Sequence, residues 1–301
     1  MMPYKATLAS PCKLNLTLDV GLLRPDGFHE IDSLVVRLSP SDEVIVTVKP
    51  GPRLVKLIVK DRRPDSVGTE LMPKGAENLA QRAAQLALDT LASGQELQVW
   101  VTLAKRLPVQ AGLGAGSSNA ATVLRAVGEA LGSPAEALVP LAAQLGSDVA
   151  LFLSNSPLVR MRGRGEVVEP IALALPKLYG VLARPAIGVP TGLAYALLDA
   201  LTNRTPGNAT ETLLAHLRLP EGMAEWYEAG GGKNDFEAAI LPAYPDIAAV
   251  HASLTDAGAL RALLCGSGSS VFGLARDRAH ARELVQKLAG KVAWLKLVES
   301  L

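Results

Sequence analysis

The sequence predicts an α/β chain of the α+β type organised as two domains, and three observations carry that prediction. Its 301 residues, 49% hydrophobic and 20% charged, suffice for two cores of ordinary domain size. The first hundred residues alternate with the period of two that strands show, and helical spacing takes over after a glycine-rich stretch that follows residue 108. The last hundred residues are mixed: helices, then two short strands around a Gly/Ser turn, then a closing helix.

Strands are expected at 13–20 (KLNLTLDV), 33–38 (SLVVRL), 43–48 (EVIVTV), 53–60 (RLVKLIVK) and 96–103 (ELQVWVTL), with turn-forming residues between them. One helix interrupts them at 77–92, where Leu79, Ala83, Leu86 and Leu91 recur at helical spacing. Helices follow at 117–132 and 135–146. The segment 147–171 reads as a strand pair around a polar turn, and 176–185 as a further strand. A domain boundary is expected there, giving units 1–155 and 156–301. In the second unit, helices are expected around 191–201, 209–217, 234–241 and 246–258, strands at 261–265 and 271–275, and a helix at 278–290.

Composition excludes several function classes. A formal net charge of +1 supplies no general attraction for nucleic acid or an anionic membrane. No stretch approaches the roughly 20 apolar residues of a membrane helix, and the N-terminal residues lack a signal-peptide core, so a cytoplasmic protein is expected. Cys12 and Cys265 are far apart without CxxC spacing and are expected to be reduced thiols. His29, His216, His251 and His280 are dispersed with no paired spacing, so no intrinsic metal site is expected.

The segment 108–121, PVQAGLGAGSSNAA, carries the strongest chemical signal. Gly112, Gly114 and Gly116 alternate immediately before a helix, where backbone amides can approach one anion closely. Ser117 and Ser118 add hydroxyls. A dinucleotide fingerprint fits poorly because Ser117 stands where its last glycine belongs, and no GxxxxGK[ST] string occurs. Polyphosphate is therefore the expected ligand. Two charged residues stand out as well. Lys13, between apolar neighbours, must reach solvent or find an anion, and Asp148 by itself reads first as a helix or turn cap and only second as a reacting carboxylate. Asn15 follows Lys13 by two, so on a strand the pair shares one face.

These residues resemble the GHMP kinase superfamily, whose phosphate motif PxxxGLGxGSSNAA is matched at 108–121. Two further motifs of that superfamily are matched in order, at 10–20 (SPCKLNLTLDV) and 263–275 (LLCGSGSSVFGLA). Within it, 11–31 with its DGFH element, 146–153 (GSDVALFL) and 233–237 (KNDFE) resemble the diphosphocytidyl-methylerythritol kinase branch, and the likeness spans about residues 8–275.

The resemblance implies an N-terminal ribosomal-S5-like domain, a C-terminal ferredoxin-like domain and an active site between them. It implies ATP with Mg2+ borne by the nucleotide, and a cytidine-diphosphate sugar alcohol phosphorylated on its 2-hydroxyl on the way to isoprenoid precursors. The protein is then a monomer or homodimer acting on small molecules. Asp148 becomes the acid–base residue and Lys13 its positively charged partner. Pro108, Val109, Gln110, Ala111, Gly112, Leu113, Gly114, Ala115, Gly116, Ser117 and Ser118 hold ATP phosphates, with Asn78 and Lys105 near the adenine. Asn15, Phe28, His29, Tyr195, Gly266 and Ser267 contact the acceptor; Phe28 and Tyr195 sandwich cytosine, and His29 hydrogen-bonds its edge.

The chain departs from the family pattern at Cys12, Phe28, Ala111, Ala115 and Ala150, none of which removes a reacting group. A β-carbon at Ala115 is expected to crowd the loop. Another GHMP kinase acting on mevalonate, homoserine or a sugar, and a non-catalytic protein of the same fold, are the alternatives that the sequence leaves open.

Overall fold

The computed structural model describes residues 2–67, 72–173, 175–202, 205, 207–219, 226 and 232–301. Two sheets organise it. The larger contains β1 (Tyr4–Asn15), β2 (Thr17–Leu23), β3 (His29–Pro50), β4 (Leu54–Asp61), β5 (Leu97–Lys105), β6 (Leu158–Arg162), β7 (Val167–Pro170) and the two-residue β9 (Lys233–Asn234). The strands expected at 33–38 and 43–48 are one continuous strand, β3. Its pairing with β1 skips Ser39 and Pro40 at a register shift between Pro11 and Cys12. The first half of β1 alternates between exposed and half-buried residues and was not among the expected strands.

One face of this sheet is covered by α1 (Leu79–Leu91) and α2 (Ala115–Ala130). The deepest residues of α1 are Ala80, Ala83, Ala84, Ala87 and Leu88, so the buried face is rotated from the expected Leu79, Ala83, Leu86, Leu91 stripe. Alanines let α1 lie close against the equally alanine-rich α2, while Leu79, Leu86 and Leu91 are partly buried at the margin. Two short helices follow, α3 (Val139–Leu145) and α4 (Val149–Leu153). α4 corrects the expected strand pair at 147–171: its first part is helical, with Val149, Leu151 and Phe152 buried, and only β6 and β7 are strands.

The second sheet consists of β8 (Tyr179–Arg184), β10 (Arg261–Leu264), β11 (Val271–Ala275) and β12 (Trp294–Glu299), in the spatial order β10-β11-β8-β12 and antiparallel throughout. Helices α5 (Thr191–Asp199), α6 (Ala209–Leu217), α7 (Glu237–Ala243) and α8 (Pro245–Asp256) lie between β8 and β10 in the chain, and α9 (Arg278–Leu288) between β11 and β12. This βαββαβ connectivity is the ferredoxin-like arrangement. β12, which the sequence reading did not include, completes it.

β6 and β7 pair with β3 and with each other, so they belong to the first sheet although they lie beyond residue 155. The sheets divide between Pro170 and Tyr179. In the other direction, β9 adds in parallel to β2, tying the second half of the chain back to the first. Among the described residues, no helix is long and apolar enough to cross a membrane.

Candidate active site

A cavity of about 970 Å³ lies where the two units meet, bounded by β1, the 108–116 loop, the start of α2, the residue before α4, the base of α5 and the β10–β11 turn. Clefts between packed units are where small-molecule sites usually form.

Backbone sterics shape its floor. Gln110, Gly112 and Gly114 have φ of 48°, 72° and 64°, and Gly114 is the left-handed residue that starts α2. The amides of 115–117, at the first turn, have no intrahelical acceptor and carry the positive end of the helix dipole. Ala115 is itself helical, so its β-carbon causes no strain; the positive φ falls on the preceding glycine. The backbone restriction expected at Ala115 is therefore absent. The loop is locked from below by the β10–β11 turn: Ser270 N–H donates to Ala111 O at 3.2 Å, and Cys265 O would lie 1.6 Å from a β-carbon on Gly112. The buried Arg184 donates to Val109 O at 3.4 Å, and Val189 N–H to Gln110 O at 3.2 Å. Asn234 donates to the carbonyls of Leu264 and Gly266 at 2.8 and 2.7 Å, fixing the turn that brings Gly266 and Ser267 to the cavity.

Lys13 and Asn15 do share a face of β1, and Lys13 Nζ donates to Asn15 Oδ1. Lys13 Nζ lies 4.0 Å from Asp148 Oδ2, while the Lys13 amide donates to Leu113 O at 3.0 Å and so pins the lysine to the loop. Asp148 occupies the cap position of α4, yet its side chain makes no capping hydrogen bond. The carboxylate thus leaves the helix amides alone and faces the lysine instead. The ammonium is 7% exposed and the carboxylate 34%, so Asp148 is the member of the pair open to a ligand.

Of three expected nucleotide contacts, Ser118 lies outside the cavity, while Lys105 and Asn78 line it and make structural bonds as well. Ser118 is fully buried, accepts a hydrogen bond from Ser10 at 2.8 Å and does not line the cavity; Ser117 does. Lys105 lines the cavity, but its ammonium is bound to the buried carboxylate of Asp42. Burial pushes the Lys105 ammonium below its ordinary pKa, and Asp42 opposes that shift. Asp42 also accepts from the amides of Arg106 and Leu107 at 2.7 and 2.8 Å and from Asn119 at 3.1 Å, so it joins both ends of the phosphate loop. Asn78 caps α1 by accepting from Ala80 N–H at 3.0 Å and donates to Pro73 O at 3.0 Å. Asn78→Ala is expected to destabilise the fold by about 1 kcal/mol, measured by denaturant unfolding, and to raise KM for the nucleotide because Met72, Pro73 and Glu77 line the same wall.

At the far end of the cavity are Phe28, His29 and Tyr195. Phe28 and Tyr195, expected on either side of a base, both line the cavity. Tyr195 stacks on His29 with centroids 4.9 Å apart and meets the edge of Phe236, also at 4.9 Å, because α5 and α7 pack behind it. The guanidinium of Arg164 lies 4.6 Å from the Phe28 centroid. Burial first, then the charges of Asp148 and Asp199, pushes the Tyr195 phenol up to about 12, which keeps it protonated at neutral pH. Burial likewise pushes Cys265 up to about 12 and Cys12 higher still, so neither thiol is a nucleophile.

Sequence reasoning missed Asp42, Asn119, Ser10, Arg184, Asn234 and Asp199. Ser10, Asn119 and Asn234 stand inside the motifs at 10–20, 108–121 and 233–237 and were within reach; the others gain partners far away in the chain.

Comparison with known proteins matches residues 78–156 to the GHMP kinases N terminal domain and residues 218–293 to the GHMP kinases C terminal domain. The 4-diphosphocytidyl-2-C-methyl-D-erythritol kinase of Gloeobacter violaceus is 36% identical over 94% of this chain and 90% of its own length. That of Paracoccus denitrificans is 37% identical over 96% and 94%. A crystal structure of 4-(cytidine 5'-diphospho)-2C-methyl-D-erythritol kinase superposes with a TM-score of 0.77 at 31% identity, covering 98% of this chain and 99% of the other.

Proposed function

The chain belongs to the 4-diphosphocytidyl-2-C-methyl-D-erythritol kinases of the GHMP kinase family, and on that premise we propose how its cleft moves a phosphoryl group from ATP to the 2-hydroxyl of the cytidyl sugar alcohol. The observation that supports this reading is the approach of Asp148 to Lys13 beside a phosphate loop, with a polar and aromatic end some residues away in the same cavity.

Triphosphate oxygens take the amides of 112–117 and the positive end of α2, which stabilise negative charge without reorganising. The hydroxyl oxygen of the acceptor attacks the γ-phosphorus, the bond to the β,γ-bridging oxygen breaks, and ADP leaves. The hydroxyl proton passes to the Asp148 carboxylate. Lys13, fixed by Asn15 and by the Leu113 carbonyl, balances charge on the transferring group and orients Asp148. Asn15, Gly266 and Ser267 border the acceptor's path, and Phe28, His29 and Tyr195 receive its cytidyl end. The nucleotide brings its divalent cation as part of the substrate complex, and Ser117 supplies a hydroxyl beside the loop.

The acceptor is tested by measuring ADP release with magnesium and ATP against the cytidyl sugar alcohol, mevalonate, homoserine and galactose. The cytidyl acceptor is expected to exceed the others in kcat/KM by about a thousandfold or more, the discrimination available to a site that hydrogen-bonds its substrate. Turnover of another acceptor alone would retire this substrate.

A further inference from the structure

We propose that Asp199 is a specificity-determining residue for the acceptor: its carboxylate accepts a hydrogen bond from the exocyclic amine of the base and so favours cytosine over uracil. This rests on the reading above that the aromatic end of the cleft receives the cytidyl group.

His29, the residue expected to meet the base edge, is already engaged within the protein. Its side chain is 4% exposed, Nδ1 lies 3.0 Å from Gly21 O, Nε2 lies 3.2 Å from Asp199 Oδ2, and Tyr195 stacks on the ring. Asp199 is the open member of the pair. Its side chain is 37% exposed and lines the cavity, and among the described residues His29 is its only polar partner, engaging one of its two oxygens. Among the described residues, the second oxygen is an acceptor without a donor. Phe28, 49% exposed, supplies a flat apolar surface in the same lining, with Arg164 against its ring.

The two bases differ where a carboxylate discriminates. Cytosine presents an amine, a donor, at the position where uracil presents a carbonyl oxygen, an acceptor. An ionised carboxylate accepts only. With one oxygen held by His29, the other pairs with the cytosine amine, whereas a uracil carbonyl is set against an anion with no hydrogen between them. Such unpaired or opposed polar groups give a larger discrimination than shape does.

The test compares kcat/KM for the cytidyl acceptor with that for its uridyl counterpart, in the wild type, Asp199→Asn and Asp199→Glu. Each preference is a ratio within one preparation, so any loss of folded protein cancels. Asp199→Asn is expected to lower the cytidyl preference by about tenfold or more, because its amide can turn a donor toward the uracil oxygen, with KM for ATP unchanged. Asp199→Glu, which keeps the charge, keeps most of the preference. An unchanged preference in Asp199→Asn, or an equal loss in both variants, overturns the assignment and leaves the cytidyl reading standing. A wild-type enzyme that uses both acceptors equally overturns the cytidyl reading, and this inference with it.

Discussion

Asp148→Ala is expected to lower kcat by about a hundredfold to ten-thousandfold, the range for removing a positioned acid–base group, while KM for ATP changes little. The argument is geometric. Asp148 is the carboxylate that faces Lys13, at 4.0 Å, and it is free of the capping bond that its place before α4 would allow. The phosphate loop does not use it: the loop is held by Leu113 on Lys13, by Ala111 on Ser270 and by Val109 on Arg184. Removing the carboxylate is therefore expected to leave nucleotide binding in place and to take away the proposed proton acceptor. Asp148→Asn separates two roles, since it can still position the hydroxyl but cannot take its proton. Steady-state kinetics with both variants reads this directly. A variant whose loss lies in KM for ATP, with kcat preserved, would place Asp148 in nucleotide binding instead.

Gly112→Ala is expected to destabilise the protein by about 3 to 5 kcal/mol, combining overpacking against backbone with a left-handed φ on a residue that has a β-carbon. The added carbon would meet Cys265 O at 1.6 Å, Cys265 C at 2.6 Å and Gly268 N at 3.2 Å, all backbone atoms that cannot swing aside. Against a typical total of about 5 to 15 kcal/mol, this removes much of the stability. Gly116→Ala is the control: its nearest neighbour is Leu79 Cδ1 at 3.7 Å, its φ is not positive, and it lies within α2. That variant should fold normally and raise KM for ATP through its methyl group near the phosphates. Thermal unfolding of the pair distinguishes a glycine needed for the fold from one needed for close approach of a ligand. Equal melting temperatures for the two variants would contradict the interlocked turns.

Local chemistry made much of the site legible before the fold was known. Lys13 and Asn15, two apart on a strand, do meet, and the alternating glycines do precede a helix. The pattern did not show which glycines must be left-handed: Gly112 and Gly114 take that role, and Ala115 is then free to be helical. The run Asp-Val-Ala-Leu-Phe-Leu is too short for periodicity to separate strand from helix, and packing of Val149, Leu151 and Phe152 into the core beneath α2 decides it. The family resemblance alone places Lys105 near the adenine, and the Lys105 ammonium carries an ion pair as well. Its anion is Asp42, 63 residues earlier in the chain, and no local signal announces that pair. Asp199 was hidden for the same reason, and Asn234 stood in the 233–237 motif without a role that its neighbours could show. Each is an ordinary polar residue until β3, α5 and the β10–β11 turn are brought together.

A single turnover with γ-labelled ATP, enzyme in excess and the cytidyl sugar alcohol present follows the phosphoryl group itself. The account predicts that the label appears on the acceptor, one per nucleotide consumed, at a rate that Asp148→Asn reduces without preventing ATP from binding. Label recovered as inorganic phosphate, or retained on the protein, would contradict direct transfer in this cleft.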